Sequence, residues 1–244
     1  MTTLPAKPAI AESGIAHVLA EDLLVAELGE ADQHHLGTVR RLRSGDPITV
    51  GDGKGRWRTA VILRGNKGSG KSGIQIEFSS EIFEESRPLP EIVAGFCLPS
   101  LDRARWALQK MTEIGVDSVH LLYSTHSSIR RSGLESGGHE FGKLLEVVRE
   151  AAMQSRSPFL PKLVPIDSIE NFVAAHPKCG VCTYGGKSGL SVGDPVVIGP
   201  EGGFSDSELE LFVRRYSLGN NVLRSETAAV LVSGVLAMKR SGLL

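Results

Sequence analysis

Val196-Val-Ile-Gly-Pro-Glu-Gly-Gly-Phe-Ser-Asp-Ser-Glu208 passes from an apolar run through a glycine-rich turn into a polar tetrad. Val196 to Ile198 form a short apolar run, which predicts a buried strand. Pro200 fixes one φ, and Gly199, Gly202 and Gly203 permit tight turns and close approach of the backbone to a ligand. Ser205-Asp-Ser-Glu208 has the spacing of a capping box, so a helix should start there. A strand running through a glycine turn into a capped helix is the repeating unit of an α/β sheet.

Downstream, Leu209, Phe212, Val213 and Tyr216 share one helical face, and Gly219 is placed to end that helix. Val222-Leu223 reads as a brief strand. Arg224-Ser-Glu-Thr227 then opens a final helix. From Ala228 to Met238 that helix is apolar almost all round, so it should be buried, against its own domain or a partner chain. From the residues alone, this block reads either as a ligand pocket or as a packing unit without a ligand.

Upstream, Ile92 to Cys97, Val119 to Tyr123, Lys162 to Ile166 and Gly180 to Tyr184 read as further apolar strands. Helical spacing lies between several of them: Ala104, Ala107, Leu108 and Met111 up to Gly115, then Phe141, Leu144, Leu145, Val148 and Ala152. This alternation predicts a mostly parallel sheet with helices on its faces. Before Glu84-Glu-Ser-Arg-Pro-Leu-Pro90, a polar, proline-bearing linker candidate, the pattern differs. Residues 22–83 read as short strands and glycine turns, which suggests a small antiparallel barrel or sandwich.

The chain has 244 residues, a hydrophobic content of 41% and a charged content of 23%, ordinary for a globular protein of one or two domains. No apolar run has bilayer length, and Met1 to Glu21 has no signal-peptide pattern. Three cysteines cannot form a disulfide framework, so a reducing, cytoplasmic setting is expected. The net charge of −1 hides an asymmetry. Residues 1–37 carry one lysine against six acids, whereas residues 38–71 carry nine basic residues against two acids. Arg40, Arg41 and Arg43 lead that basic segment. Charge alone leaves a nucleic-acid-contacting face and an ordinary solvated surface equally open.

Three other patterns bear on function. Gly65-Asn-Lys-Gly-Ser-Gly-Lys71-Ser72 matches the phosphate-loop consensus, but Ile74 to Phe78 alternates like a strand, where a phosphate loop must open a helix. A β-hairpin turn is the simpler reading. Cys179-Gly-Val-Cys182 has no second Cys/His pair at zinc-site spacing and opens an apolar strand, so two buried small residues are expected. His126 and Arg130 lie in a polar loop after a predicted strand, where α/β sheets bind ligands; substrate contact and ordinary loop remain equally open. No nucleophile elbow, H-E-x-x-H or dinucleotide fingerprint is present.

The motifs Ile198-Gly-Pro-Glu-Gly-Gly-Phe204, Leu218-Gly219 with Val222-Leu-Arg-Ser-Glu-Thr-Ala228, Lys110-Met-Thr-Glu-Ile-Gly-Val116 and Glu150-Ala-Ala-Met-Gln154 with Arg156 occur in order. So does His35 with Val39 to Arg43 and Gly45-Asp46. Through them the chain resembles the RsmE family of 16S rRNA (uracil-N3)-methyltransferases. The resemblance implies a PUA-like RNA-binding β-barrel over residues 1–86. It implies a SPOUT-type α/β domain with a C-terminal trefoil knot over 87–244. It implies a homodimer acting on 16S rRNA, within the assembled small ribosomal subunit, with S-adenosylmethionine as cofactor and no metal.

Carried over position by position, Gly199, Pro200, Glu201, Gly202 and Gly203 match one cofactor loop. Leu218, Gly219, Val222 and Leu223 match the other. Arg224 is the candidate for stabilising charge on the uracil, and Glu226 or Glu201 for accepting its proton; both acids also suit plain loop organisation. Arg40, Arg41, Arg43, Lys110 and Arg130 are the RNA-contact candidates. Asn221 stands where the family often has arginine, and residues 124–130 match only loosely. The competing functions are a methyltransferase of the same superfamily acting at another RNA site, a non-catalytic RNA-binding module and, more distantly, a phosphate-loop NTPase.

Overall fold

The computed structural model describes residues 9–64, 74–187 and 189–244. The Gly65–Ser72 look-alike lies outside them. The chain divides into two compact units: residues up to Arg87 together with Ala152–Leu160, and Pro88–Ala151 together with Pro161–Leu244.

In the first unit, β1 (Ala16–Leu19), β2 (Pro47–Gly51), β3 (Arg56–Arg64) and β4 (Ile74–Phe78) lie in that order, and β5 (Phe83–Glu84) pairs with β3. Three of the four pairings are antiparallel, as expected. The β1–β2 pair is parallel, with Ala16 opposite Ile48. A parallel pair needs a long crossover. Residues 30–39 help supply it, as α1 (Glu30–His34) running into a π-turn, where the sequence suggested only strands and turns. Val18, Leu36, Ile48, Val50, Ala60, Ile62 and Ile76 form the core, with Met153 packed against it.

The second unit is a six-stranded, wholly parallel sheet. Its strands are β6 (Val93–Cys97), β7 (Ser118–Tyr123), β8 (Lys162–Ser168), β9 (Gly180–Cys182), β10 (Val196–Ile198) and β11 (Arg214–Tyr216). Their spatial order is β11-β9-β10-β6-β7-β8. The central strands β9 and β10 are buried at every residue, which is why they read as continuous apolar runs. The helices are α2 (Leu101–Ile114), α3 (His139–Gln154), α4 (Ile169–Ala175), α5 (Asp206–Glu210) and α6 (Ser225–Arg240).

α6 packs on α2 and buries Ala228, Ala229, Val232, Ser233 and Leu236. Its last turn is held by an ion pair between Arg240 and the buried Asp117, which also accepts the Ile92 N–H at 2.8 Å. Among the described residues no helix is long and apolar enough to cross a membrane.

Two sequence expectations fail here. The helix predicted from Ser205 to Gly219 stops at Glu210, and Arg214–Tyr216 form the edge strand β11. Val213, counted on the helical face, is 85% exposed, whereas Tyr216 is buried. Tyr216 sits where Gly180 and Gly186 leave room; a Cβ on Gly180 would lie 2.3 Å from its ring. Long-range packing overrides the local spacing. Val222 and Leu223 form no strand, and Val222 is 82% exposed. With β11 already closing that edge, they run through a loop.

Candidate functional site

The chain lays down β6, β7 and β8 outward to one edge. It then places β9 on the far side of β6 and inserts β10 between them. Ligands of parallel α/β sheets bind beyond the strand C-termini where the order reverses. There the segments after β9, β10 and β11 enclose a pocket of about 320 Å³.

Gly199, Pro200, Glu201 and Gly203 line one side of it, and Leu218, Gly219, Val222 and Leu223 line another, joined by Asn221. Gly202 is the one position of the nine that faces elsewhere; a Cβ there would lie 3.0 Å from the His126 Cβ. Gly199 has no room for a side chain, since a Cβ would meet the Phe204 ring at 2.5 Å. Sequence reasoning missed Cys182, Thr183, Tyr184, Ile198, Phe204, Leu209, Ser225 and Ala228 as lining residues. For Thr183 and Tyr184 a signal existed: they follow an apolar run that ends as a parallel strand.

The first loop is anchored by its own helix. Ser205 and Glu208 complete the capping box, with the Glu208 carboxylate accepting the Ser205 N–H at 2.8 Å. The same carboxylate accepts the Thr125 N–H at 2.7 Å, so it also pins the loop after β7. Burial alone would raise the Glu208 carboxyl. The N–H groups of Thr125 and Ser205, with the Ser205 hydroxyl, outweigh it and hold the group below the usual carboxylate range. At the other end, the Ser225 hydroxyl donates to the Gly199 carbonyl at 2.7 Å, tying the loop to the first turn of α6.

Glu201 is ion-paired with Arg103, whose Nε lies 3.7 Å from Glu226 Oε1. Glu226 is not among the lining residues, although its neighbour Ser225 is. Arg224 caps α6 with an extended backbone and an exposed side chain. Arg103 carried no signal in the sequence, because both carboxylates it meets are roughly a hundred residues away and no local spacing rule reaches them.

The RNA-contact candidates are scattered. Lys110 pairs with Glu113 on α2 at 2.8 Å. Arg130 is exposed in the loop after β7. In the first unit Arg40, Arg41 and Arg43 are all exposed. Arg40 reaches the Ile15 carbonyl at 3.4 Å, and Arg41 holds φ at +54°. Cys179 and Cys182 are buried as expected, and burial pushes their thiols up to about 11 and about 12, unsuited to nucleophile or ligand.

Residues 85–237 match the RNA methyltransferase domain family, and residues 28–75 match the RNA methyltransferase PUA domain family. Among known proteins, the chain is similar to a ribosomal RNA small subunit methyltransferase E from Rickettsia conorii, 25% identical over 87% of this chain and 88% of that one. A protein of the same name from Synechocystis is 28% identical over 91% of this chain and 78% of its own length. The fold is that of a methyltransferase E from Neisseria gonorrhoeae solved bound to S-adenosyl methionine, with a TM-score of 0.79 and 22% identity over 92% of this chain and 97% of that one. A probable rRNA-methyltransferase from Porphyromonas gingivalis shares it, with a TM-score of 0.77 and 24% identity over 94% of this chain and all of that one.

Proposed function

Since this chain belongs to the RNA methyltransferase domain family, we propose that it methylates uracil N3 in 16S rRNA of the small ribosomal subunit, with S-adenosylmethionine as methyl donor. The observation that carries this reading is the convergence of both glycine-bearing motifs, separated in the chain by α5 and β11, on one pocket at the reversal point of the sheet. The pocket suits the donor. Leu218, Val222, Leu223, Ile198 and Leu209 offer apolar walls for an adenine ring, and Gly199, Gly203 and Gly219 line the same pocket.

S-adenosylmethionine supplies an electrophilic methyl on a sulfonium, and the protein's task is chiefly alignment of uracil N3 in line with it. Arg224 is exposed at the head of α6, next to the pocket residues Leu223 and Ser225. It is free to approach a uracil carbonyl and stabilise charge developing there. Of the two candidate proton acceptors, Glu201 is the one that lines the pocket. Glu226 sits on the Arg103 side of the helix start, which favours the organising role for it. The uracil itself must be exposed or flipped to reach the site. Arg40, Arg41 and Arg43 supply phosphate contacts from the first unit, which grips RNA backbone more than sequence.

The chain returns from the edge strand β11 to the middle of the sheet, where the Ser225 hydroxyl meets the Gly199 carbonyl. That path supports a trefoil knot. Leu231 and Met238, each about two-fifths exposed on the otherwise apolar α6, support a homodimer. A ribosomal substrate supports a cytoplasmic site of action.

The test is direct. Small-subunit rRNA, and assembled subunits, from cells lacking the protein are incubated with it and labelled S-adenosylmethionine, then digested for mass spectrometry. Label in 3-methyluridine is the expected result. Label in a ribose-methylated nucleoside moves the chain to another reaction on RNA, and RNA binding without label makes it a binding module.

A further inference from the structure

Arg103 is placed against the preference of its own helix. It occupies the first turn of α2, whose N-terminus carries partial positive charge and favours acids. Asp102 satisfies that preference and pairs with Arg105 at 2.8 Å. Arg103 instead turns toward two carboxylates from other segments. Its Nη1 pairs with Glu201 on the glycine loop, and its Nε lies 3.7 Å from Oε1 of Glu226 in the first turn of α6. The second Glu226 oxygen, Oε2, is buried without a hydrogen-bond partner. The carboxylate is therefore held chiefly by its charge relation to Arg103.

An ion pair as exposed as this one, with Arg103 and Glu201 side chains 40% and 41% accessible, adds little to folding stability. Its geometry has a different consequence. Glu201 belongs to one wall of the pocket, and Glu226 adjoins Ser225, which belongs to the helix end that closes it. One guanidinium thus spans the two pieces of backbone that the Ser225–Gly199 hydrogen bond also joins. Without the cation, two like charges would sit side by side at the head of α6 and push the loop away from the helix.

We propose that Arg103 is a positioning residue for the pocket: it clamps the Gly199–Gly203 loop to the start of α6 through Glu201 and Glu226, and so sets the shape that receives S-adenosylmethionine. This rests on the reading of the pocket as the donor site.

The test measures binding of S-adenosylmethionine by calorimetry to the full chain, alongside RNA affinity and thermal midpoint. Arg103→Ala should weaken donor binding about tenfold while RNA affinity and thermal midpoint stay near wild type. Arg103→Lys, which keeps the charge but loses the fork, should recover part of the loss. Glu201→Gln should reproduce much of it, and adding Arg103→Ala to Glu201→Gln should cost less than the two single effects multiplied. A general structural role would instead lower the thermal midpoint and both affinities together. Donor affinity of Arg103→Ala within twofold of wild type, or full multiplicativity with Glu201→Gln, overturns the clamp and leaves the donor site standing. A folded wild-type chain that binds no donor overturns the reading of the site itself.

Discussion

Two of the loops that enclose the pocket are built differently. The Gly199–Ser205 loop is held from several directions: Ser225 on the Gly199 carbonyl, Glu208 on the Ser205 amide, and the Gly203 N–H on the Pro200 carbonyl at 3.0 Å. Phe204 fills the space over Gly199, and His126 packs on Gly202. The Ser217–Leu223 loop has little of this. The Ser217 hydroxyl makes only long contacts with Gly219, at 3.4 and 3.5 Å, and Val222 points into solvent. One wall is therefore preorganised, and the other is held mainly at its ends by β11 and α6. A site that must admit a ligand and then enclose it gains from this asymmetry, because the loosely bonded wall reorganises at low cost.

The sharpest way to break the comparison is Glu208→Ala. It removes the capping box and leaves the Thr125 amide without its acceptor, on a residue 4% exposed. The expected loss is about 3 kcal/mol, combining a cap with a charged, buried hydrogen bond. Urea unfolding measures it; a loss below about 1 kcal/mol would mean the rigid wall does not hang on this carboxylate. Ser225→Ala is the milder version. It leaves the Gly199 carbonyl without its hydroxyl donor and should cost about 1–2 kcal/mol, with weaker donor binding as the loop drifts from α6. Unchanged donor affinity would show that this bond does not shape the pocket.

The same asymmetry explains what could be read from the sequence. The rigid wall follows local rules: apolar strand, glycine turn and capping box are all contained within Val196 to Glu208. The parallel sheet was legible too, because buried parallel strands are apolar throughout. The second wall was misread because its determinants are distant. Leu209, Phe212, Val213 and Tyr216 do have helical spacing, but Tyr216 is claimed by the space beside Gly180, so the chain becomes a strand paired to β9. No window around Tyr216 contains that information. Arg103 was invisible for the same reason, and so was the attachment of Ala152–Leu160 to the first unit.

Acid separates the walls in another way, since Ser217 to Leu223 contains no titratable side chain. The Glu208 carboxylate is held below its ordinary value of 4.5, so its contribution is full above that pH and is lost as pH falls through the lower folded value. An earlier phase comes from His120. Burial first, then repulsion from His176 and Lys162, against an opposing pull from Asp167, brings its imidazole from 6.5 to about 4. The folded ring stays neutral where the unfolded ring takes a proton. Stability therefore falls as pH drops from 6.5 toward 4, by on the order of 1 kcal/mol once solvent screening is allowed for. Urea midpoints at pH 7 and pH 5 should differ for the wild type and converge in His120→Gln. Equal slopes in both proteins would assign that phase elsewhere.

Val222→Ser has the smallest expected effect on stability and is the most informative about the second wall. The side chain is 82% exposed, so folding should change by less than about 0.5 kcal/mol. Yet Val222 lines the pocket, and an apolar side chain facing water there has a purpose if the ligand covers it. Burial of most of a valine side chain on binding corresponds to about 1–2 kcal/mol, so donor affinity should drop roughly tenfold while the urea midpoint stays put. The rigid wall behaves in the opposite way, since there stability and affinity fall together in Ser225→Ala. A Val222→Ser protein with lowered stability and unchanged affinity would reverse the assignment of the two walls. It would mean that this loop is packed in solution and that the donor contacts the first wall alone.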